Sequence, residues 1–320
     1  MSSNDNVSGS RSGRGFYAGS GGRLVTDAAC SASGNDFAGF QIDRGSTGTV
    51  NGIASRNWIG VAIYGTGGSS TTLSGDDNER FGLILDYAAS GWTFASVSFS
   101  RTGFSARNPS GTGVEIFGGS GNVIQSATLV NNAGYGVALA RDRNGNPAVR
   151  NRIGTVQVRA TGNWDADPAI HLSGGASDNS FADVTATGTT CGVSIGEGMT
   201  PTSNDRNVFT KLKVVGNPYC AVKIDGGSSN VFSAISVQGS GTFDPVRIAS
   251  GLIELQGPDT RRNTVKISVA SVLARTSSAV HADAGAAGNT VRLATLVKTQ
   301  LALARDDARR NTFTVVKAAG

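Results

Sequence analysis

Short runs in which apolar and polar residues alternate recur along the chain, each led by an asparagine. Examples are "SDNSFADVTA" (177–186), "DRNVFTKLKV" (205–214) and "SSNVFSAISV" (228–237). The leading residues are Asn122, Asn151, Asn179, Asn207, Asn230, Asn263, Asn289 and Asn311, so the motif returns every 22–33 residues. A second apolar-x-apolar motif falls between them, as "TGVEIFGG" (112–119), "YGVALARD" (135–142), "PAIHLSGG" (168–175), "CGVSIGEG" (191–198) and "CAVKIDGG" (220–227). It continues as "DPVRIASG" (244–251) and "SAVHADAG" (278–285), with an earlier copy, "GVAIYGTGG", at 60–68. Alternation with period two puts one side chain of each pair inward, as a half-buried strand requires. Each repeat therefore predicts two short strands with turns between them.

Self-similarity at this period is the signature of a solenoid. Helical solenoids need amphipathic runs of ten or more residues, and the Leu-x-Leu pattern of leucine-rich repeats is missing. A propeller blade needs four strands in about 40 residues. The remaining architecture is all-β: a right-handed, single-stranded parallel β-helix with coils of 22–33 residues. The recurring asparagine is then expected to take the left-handed conformation in a stacked turn, its amide bonding to the asparagine of the next coil. Residues 1–47 fit the repeat poorly and read as a flexible start and irregular cap, leaving 48–320 as the β-helix.

Composition agrees with many short strands and tight turns: 45 glycines, 7 prolines and 2 methionines in 320 residues. Net charge is +5, but the basic residues are scattered and form no stripe, so nucleic acid is not an expected partner. No stretch approaches the roughly 18 apolar residues of a membrane span, and the polar start "MSSNDNVSGSRSGRG" lacks a signal-peptide apolar region. A soluble protein that does not enter a membrane is expected.

Cys191 and Cys220 occupy the same repeat position, about 4.8 Å apart if adjacent coils stack. A cross-coil disulfide and two stacked core thiols are both open at this point. Cys30 has no partner in the pattern.

A site in a solenoid comes from outward positions stacked over several coils. The residue between the apolar pair of the second motif supplies Ala62, Glu115, Ala138, His171, Ser194, Lys223, Arg247 and His281, including both histidines of the chain. Beside this column, "ALARDRNGNPAVRNR" (138–152) carries Arg141, Asp142 and Arg143, and "ATGNWDADPAIH" (160–171) carries Trp164, Asp165, Asp167 and His171. A Trp beside two carboxylates suits a sugar subsite, the ring stacking and the acids moving protons. The candidate catalytic set is Asp165, Asp167, His171, Glu115 and Asp142; the candidate substrate-binding set is Trp164, Arg141, Arg143, Tyr135, Lys223 and Arg247. The acidic stretch "SGDDNERFG" (74–82) reads as a solvated turn.

On its coil pattern over about residues 48–318, the chain resembles the pectate-lyase-like superfamily of β-helical proteins. The polygalacturonase-type "GHG" and "RIK" motifs are absent, and "DPAIH" (167–171) departs at two positions from the Asp-Pro-His-Glu motif of mannuronan epimerases. The stacked carboxylates of a pectate-lyase calcium cluster are missing from the column, so neither calcium nor another cofactor is expected. The resemblance implies a polysaccharide lyase or glycoside hydrolase, extracellular or virion-associated like a tailspike, and a homotrimer. A non-catalytic glycan-binding solenoid, adhesin or tail-fibre segment stands as the alternative.

Overall fold

The computed structural model describes residues 1–4, 13–103, 111–159, 168–196, 203–217, 220–240, 252–272, 278–294, 296–297, 302–307 and 309–315. Every regular element among them is a β-strand, and strands pair in parallel with their counterparts one coil on. The protein is a parallel β-solenoid, with two compact units, Met1–Val156 and Gln157–Gly320.

In the first unit, three strands form each coil as far as Ser100. Ile59–Ile63, Gly68–Ser70 and Leu73–Asp76 pair with Phe81–Leu85, Trp92–Phe94 and Val97–Ser100 of the following coil. One further turn joins the last two sides: Val123–Val130 pairs at its start with Thr93 and Phe94 and at its end with Val97–Ser100. The two-strand repeat read from the sequence therefore begins only there. Upstream, the short "GSS" and "WTF" strands make a third side that their length hides.

The coil also begins earlier than expected. Arg14–Ala18 pairs with Ala38–Ile42, and Arg23–Val25 with Thr47–Thr49. Residues 13–47, expected as a cap, carry the same coil: Arg14–Ala18 and Ala38–Ile42 match the later five-residue strands in length, while the three-residue strands between them, such as "RLV" and "SAS", hold too few apolar positions to show the repeat.

The second unit keeps two principal sides. One stacks Ile170–Leu172, Cys191–Ile195, Cys220–Ser228, Ile253–Arg261, Ser278–Ala282 and Ala302–Asp306. The other stacks Ser180–Thr187, Val208–Val215, Val231–Ser240, Thr264–Val272, Thr290–Leu293 and Thr312–Val315. Like residues fall on like residues. Phe181, Phe209 and Phe232 stack with ring centroids 4.5 and 4.6 Å apart, in planes within 4°. Cys191 pairs with Cys220 in register at a Cα separation of 4.6 Å, and the two form a disulfide.

The asparagines form ladders. Asn179 and Asn207 donate their backbone and side-chain N–H groups to the side-chain oxygen of the next asparagine, at 2.9–3.1 Å, and the series runs on through Asn230, Asn263, Asn289 and Asn311. A second ladder in the first unit joins Asn35, Asn57 and Asn78. The left-handed residue is not the asparagine, however, but the one before it: Arg56, Asp77, Arg150, Asp178, Arg206, Ser229 and Arg262 have φ of 55–59°. That residue turns the chain, and the turn aims the asparagine amide into the core, where burial makes each amide bond obligatory.

Candidate functional site

Three strands of the first unit break the alternation that a solvated sheet would show. Ala38–Ile42, Ile59–Ile63 and Phe81–Leu85 are buried at every position. Strands read this way when both faces are covered. One face closes the solenoid core through Phe40, Val61, Ile63, Leu83 and Leu85. The other carries a separate apolar cluster of Ala38, Ile59, Ala62, Phe81 and Ile84, with Phe37, Trp58, Tyr64 and Phe117 packed against it. A glycine recurs inside these strands because the coils approach closely there. A Cβ on Gly60 would stand 2.4 Å from the Gly82 carbonyl oxygen.

Over this cluster lies a cleft of about 260 Å³. Ile59, Phe81 and Ile84 form its floor, Phe37, Trp58 and Arg80 line it just before the strands, Tyr64, Asp86 and Tyr87 just after them, and Phe117 from the end of Thr112–Phe117. Arg141 and Arg143 complete the lining from the loop after Val137–Ala140. The aromatic rings hold one another and the cations. The Arg80 guanidinium lies 4.9 Å from the Phe81 ring centroid and 5.8 Å from that of Trp58. Arg44 covers Tyr87 at 3.9 Å, and Tyr87 meets Tyr64 edge-on at 5.4 Å. Tyr87 and Ala88 both have positive φ, 55° and 63°, a conformation a non-glycine residue adopts at some energetic cost. That kink carries the Tyr87 ring to the cleft.

Two carboxyls here are displaced toward the protonated form. Glu115 pairs in register with Ile84 of the floor and is 7% exposed. Burial pushes its pKa up to about 8, against the opposing pulls of the Thr112 hydroxyl and Arg80, with the Asp86 charge adding to the rise. Asp86 lines the cleft, and burial raises its pKa too. The Tyr87 N–H at 2.6 Å pulls it down, Asp142 pushes it up, and Arg143 and Arg44 pull it down. The Tyr64 hydroxyl is raised, first by burial and then by the Asp86 charge.

Of the residues expected from sequence, the cleft gathers Arg141 and Arg143, with Glu115 beside its floor. Asp142 turns away into its own loop. Its carboxylate accepts from the Asn144 and Asn146 backbone N–H groups at 2.9 and 2.8 Å and from the Asn146 amide at 2.8 Å. Burial would raise its pKa, but those donors hold it below the usual carboxylate range. Tyr135 sits half-buried in the turn before Val137, where its carbonyl accepts from Gly113. Trp164, Asp165, Asp167 and Arg247 lie outside the described residues.

His171 and Lys223 belong to the second unit, where a column runs His171, Ser194, Lys223, Glu254, His281, Arg305. The position expected for Arg247 is held by Glu254, because "LIELQ" (252–256) supplies the strand that pairs with Val222–Asp225. His281 Nε2 lies 3.2 Å from Asp307, which Arg305 also contacts at 2.9 Å; these two partners, Arg305 foremost, hold the Asp307 carboxyl low. Among the described residues, no three His, Cys, Asp or Glu side chains are grouped to hold a metal ion, and no helix is long and apolar enough to cross a membrane.

Sequence reading missed Trp58, Tyr64, Arg80, Asp86 and Tyr87. The available signal was "WIGVAIY" (58–64) and "RFGLILDY" (80–87), apolar throughout and bracketed by large residues. Fold and cleft together define a parallel β-solenoid with an aromatic, cation-rimmed groove on one outer face. Residues 2–153 match the family described as the right handed beta helix region. No curated protein and no solved structure matches the chain.

Proposed function

We propose that the protein binds an acidic polysaccharide in the cleft of its first unit and cleaves it there by proton transfer. The observation carrying this reading is one groove that joins aromatic rings, three arginines and Asp86, a carboxyl displaced toward its protonated form, with Glu115 buried beside its floor. Trp58, Tyr64 and Tyr87 offer faces for pyranose rings, and Arg80, Arg141 and Arg143 match carboxylate or sulfate groups. Asp86, which lines the groove, is the group to exchange a proton with the glycan. Burial favours the protonated form of Glu115, which keeps a second negative charge away from the bound acidic sugar. A role outside the cell or on a virion, in a homotrimer, accords with the resemblance of the coil pattern, and the Cys191–Cys220 disulfide favours an oxidising compartment.

The test is a panel of acidic and neutral polysaccharides incubated with the protein and with Asp86→Asn, Glu115→Gln and Trp58→Ala. Asp86→Asn should lower turnover about 10²-fold or more. Trp58→Ala should weaken binding about tenfold, and binding should fall as salt rises. Unchanged turnover in both carboxyl variants would remove the cleft from the chemistry. A second reading, binding without cleavage, is favoured by the near-complete cover over Glu115; retained glycan with no new reducing ends or unsaturated products would select it.

A further inference from the structure

The geometry points to Asp142 as the positioning residue of the cleft: its carboxylate locks the 141–146 loop and thereby sets both Arg141 and Arg143 on the rim. This rests on the reading of the cleft as an anion-accepting groove, and it removes Asp142 from any direct part in the reaction.

The argument starts from an arrangement in sequence. Arg141 and Arg143 flank Asp142, and both line the cleft. The turn that follows Val137–Ala140 sends these two side chains to the cleft and the one between them back into the loop. Asp142 is 5% exposed. A buried carboxylate needs its lone pairs satisfied. Here the loop supplies three donors to them, the Asn144 N–H, the Asn146 N–H and the Asn146 amide. Two backbone bonds close the same turn, Asp142 N–H to the Asn146 carbonyl at 2.9 Å and Gly145 N–H to the Asp142 carbonyl at 3.0 Å. Gly118 admits this packing, since a Cβ there would stand 2.8 Å from the Asp142 carboxyl carbon.

The placement has an electrostatic side as well. The charge on Asp142 acts on Asp86 across the cleft wall and raises its pKa, while Arg143 and Arg44 act the other way. The Tyr87 N–H, the Tyr64 hydroxyl and Glu115 also interact with Asp86. The same buried carboxylate thus holds the two cations that would draw an anion in and keeps the cleft carboxyl nearer to protonation.

Quenching of Trp58 fluorescence tests this without a glycan. Trp92 is fully buried, and a Trp164→Phe background removes the third indole. Iodide reports an anion-attracting rim and acrylamide reports access alone. Arg141→Ala/Arg143→Ala should lower the iodide quenching constant about twofold or more with acrylamide unchanged. Asp142→Ala should approach that value. Iodide quenching in Asp142→Ala equal to the parent, or indifferent to the arginines, overturns the proposal. Asp142→Asn keeps acceptors for the backbone N–H groups but removes the charge. It should retain more iodide quenching than Asp142→Ala and should shift the Asp86 midpoint, followed by carboxyl ¹³C resonances, to lower pH. An unmoved midpoint also overturns the proposal. If the quenching results hold while no polysaccharide binds, the functional reading fails and the role of Asp142 stands.

Discussion

Burial displaces the Glu115 carboxyl far from its ordinary behaviour, and pH exposes it. A carboxyl with a pKa near 4.5 unfolded and about 8 folded binds more protons in the folded state between those values. Its contribution to stability is therefore present at low pH and is lost as pH rises through about 8. The parent should lose a few kcal/mol between pH 5 and 9 by urea denaturation, and Glu115→Gln should lose clearly less. Equal pH slopes would show that Glu115 titrates normally. Gly60 is sensitive for a steric reason: Gly60→Ala places a methyl 2.4 Å from a backbone oxygen and should destabilise by about 1–3 kcal/mol. At this scale the sequence was half legible. Arg141, Arg143 and Glu115 stood out as charges near a repeat, whereas nothing in the local pattern singled out Trp58 and Tyr64 on either side of "IGVAI" (59–63). Their role depends on which face of the sheet is covered, and that follows from packing rather than from local pattern.

Among the elements, the ladders stabilise and the turns direct. Asn230 accepts the Asn207 backbone and side-chain N–H groups and donates to Asn204 O and Asn263, so Asn230→Ala leaves buried donors and an acceptor unmatched. A loss of about 2–4 kcal/mol is expected in thermal or urea unfolding. Phe209→Ala opens the centre of a three-ring stack and should cost about 3–5 kcal/mol. The disulfide closes a 29-residue separation, which corresponds to about 3–4 kcal/mol by chain entropy. Thiol titration of the unreduced, denatured protein should find one free thiol, that of Cys30, and three would contradict the bridge. The ladder asparagines were visible as a repeat because spacing is preserved in sequence. Their backbone conformation was not, since both an asparagine and its predecessor can turn a chain, and only the inward aim of the amide decides between them.

For the whole molecule, the parallel β-solenoid was legible because stacking repeats a residue type at each rung, a regularity that survives without any structure. The third side of the early coils was not, because strands of three residues such as Gly68–Ser70 carry too few apolar positions to alternate. Circular dichroism should show strand and no appreciable helix, and sedimentation should give a trimer if the tailspike-like expectation holds. The ladder has one further consequence. Its rungs join residues 28, 23, 33, 26 and 22 positions apart with the same hydrogen bonds. What binds one rung to the next is thus indifferent to how much chain is spent between them. Surface segments can lengthen, shrink or be exchanged between coils while the spine remains unaltered, which makes this a scaffold on which new recognition loops can be grafted one turn at a time.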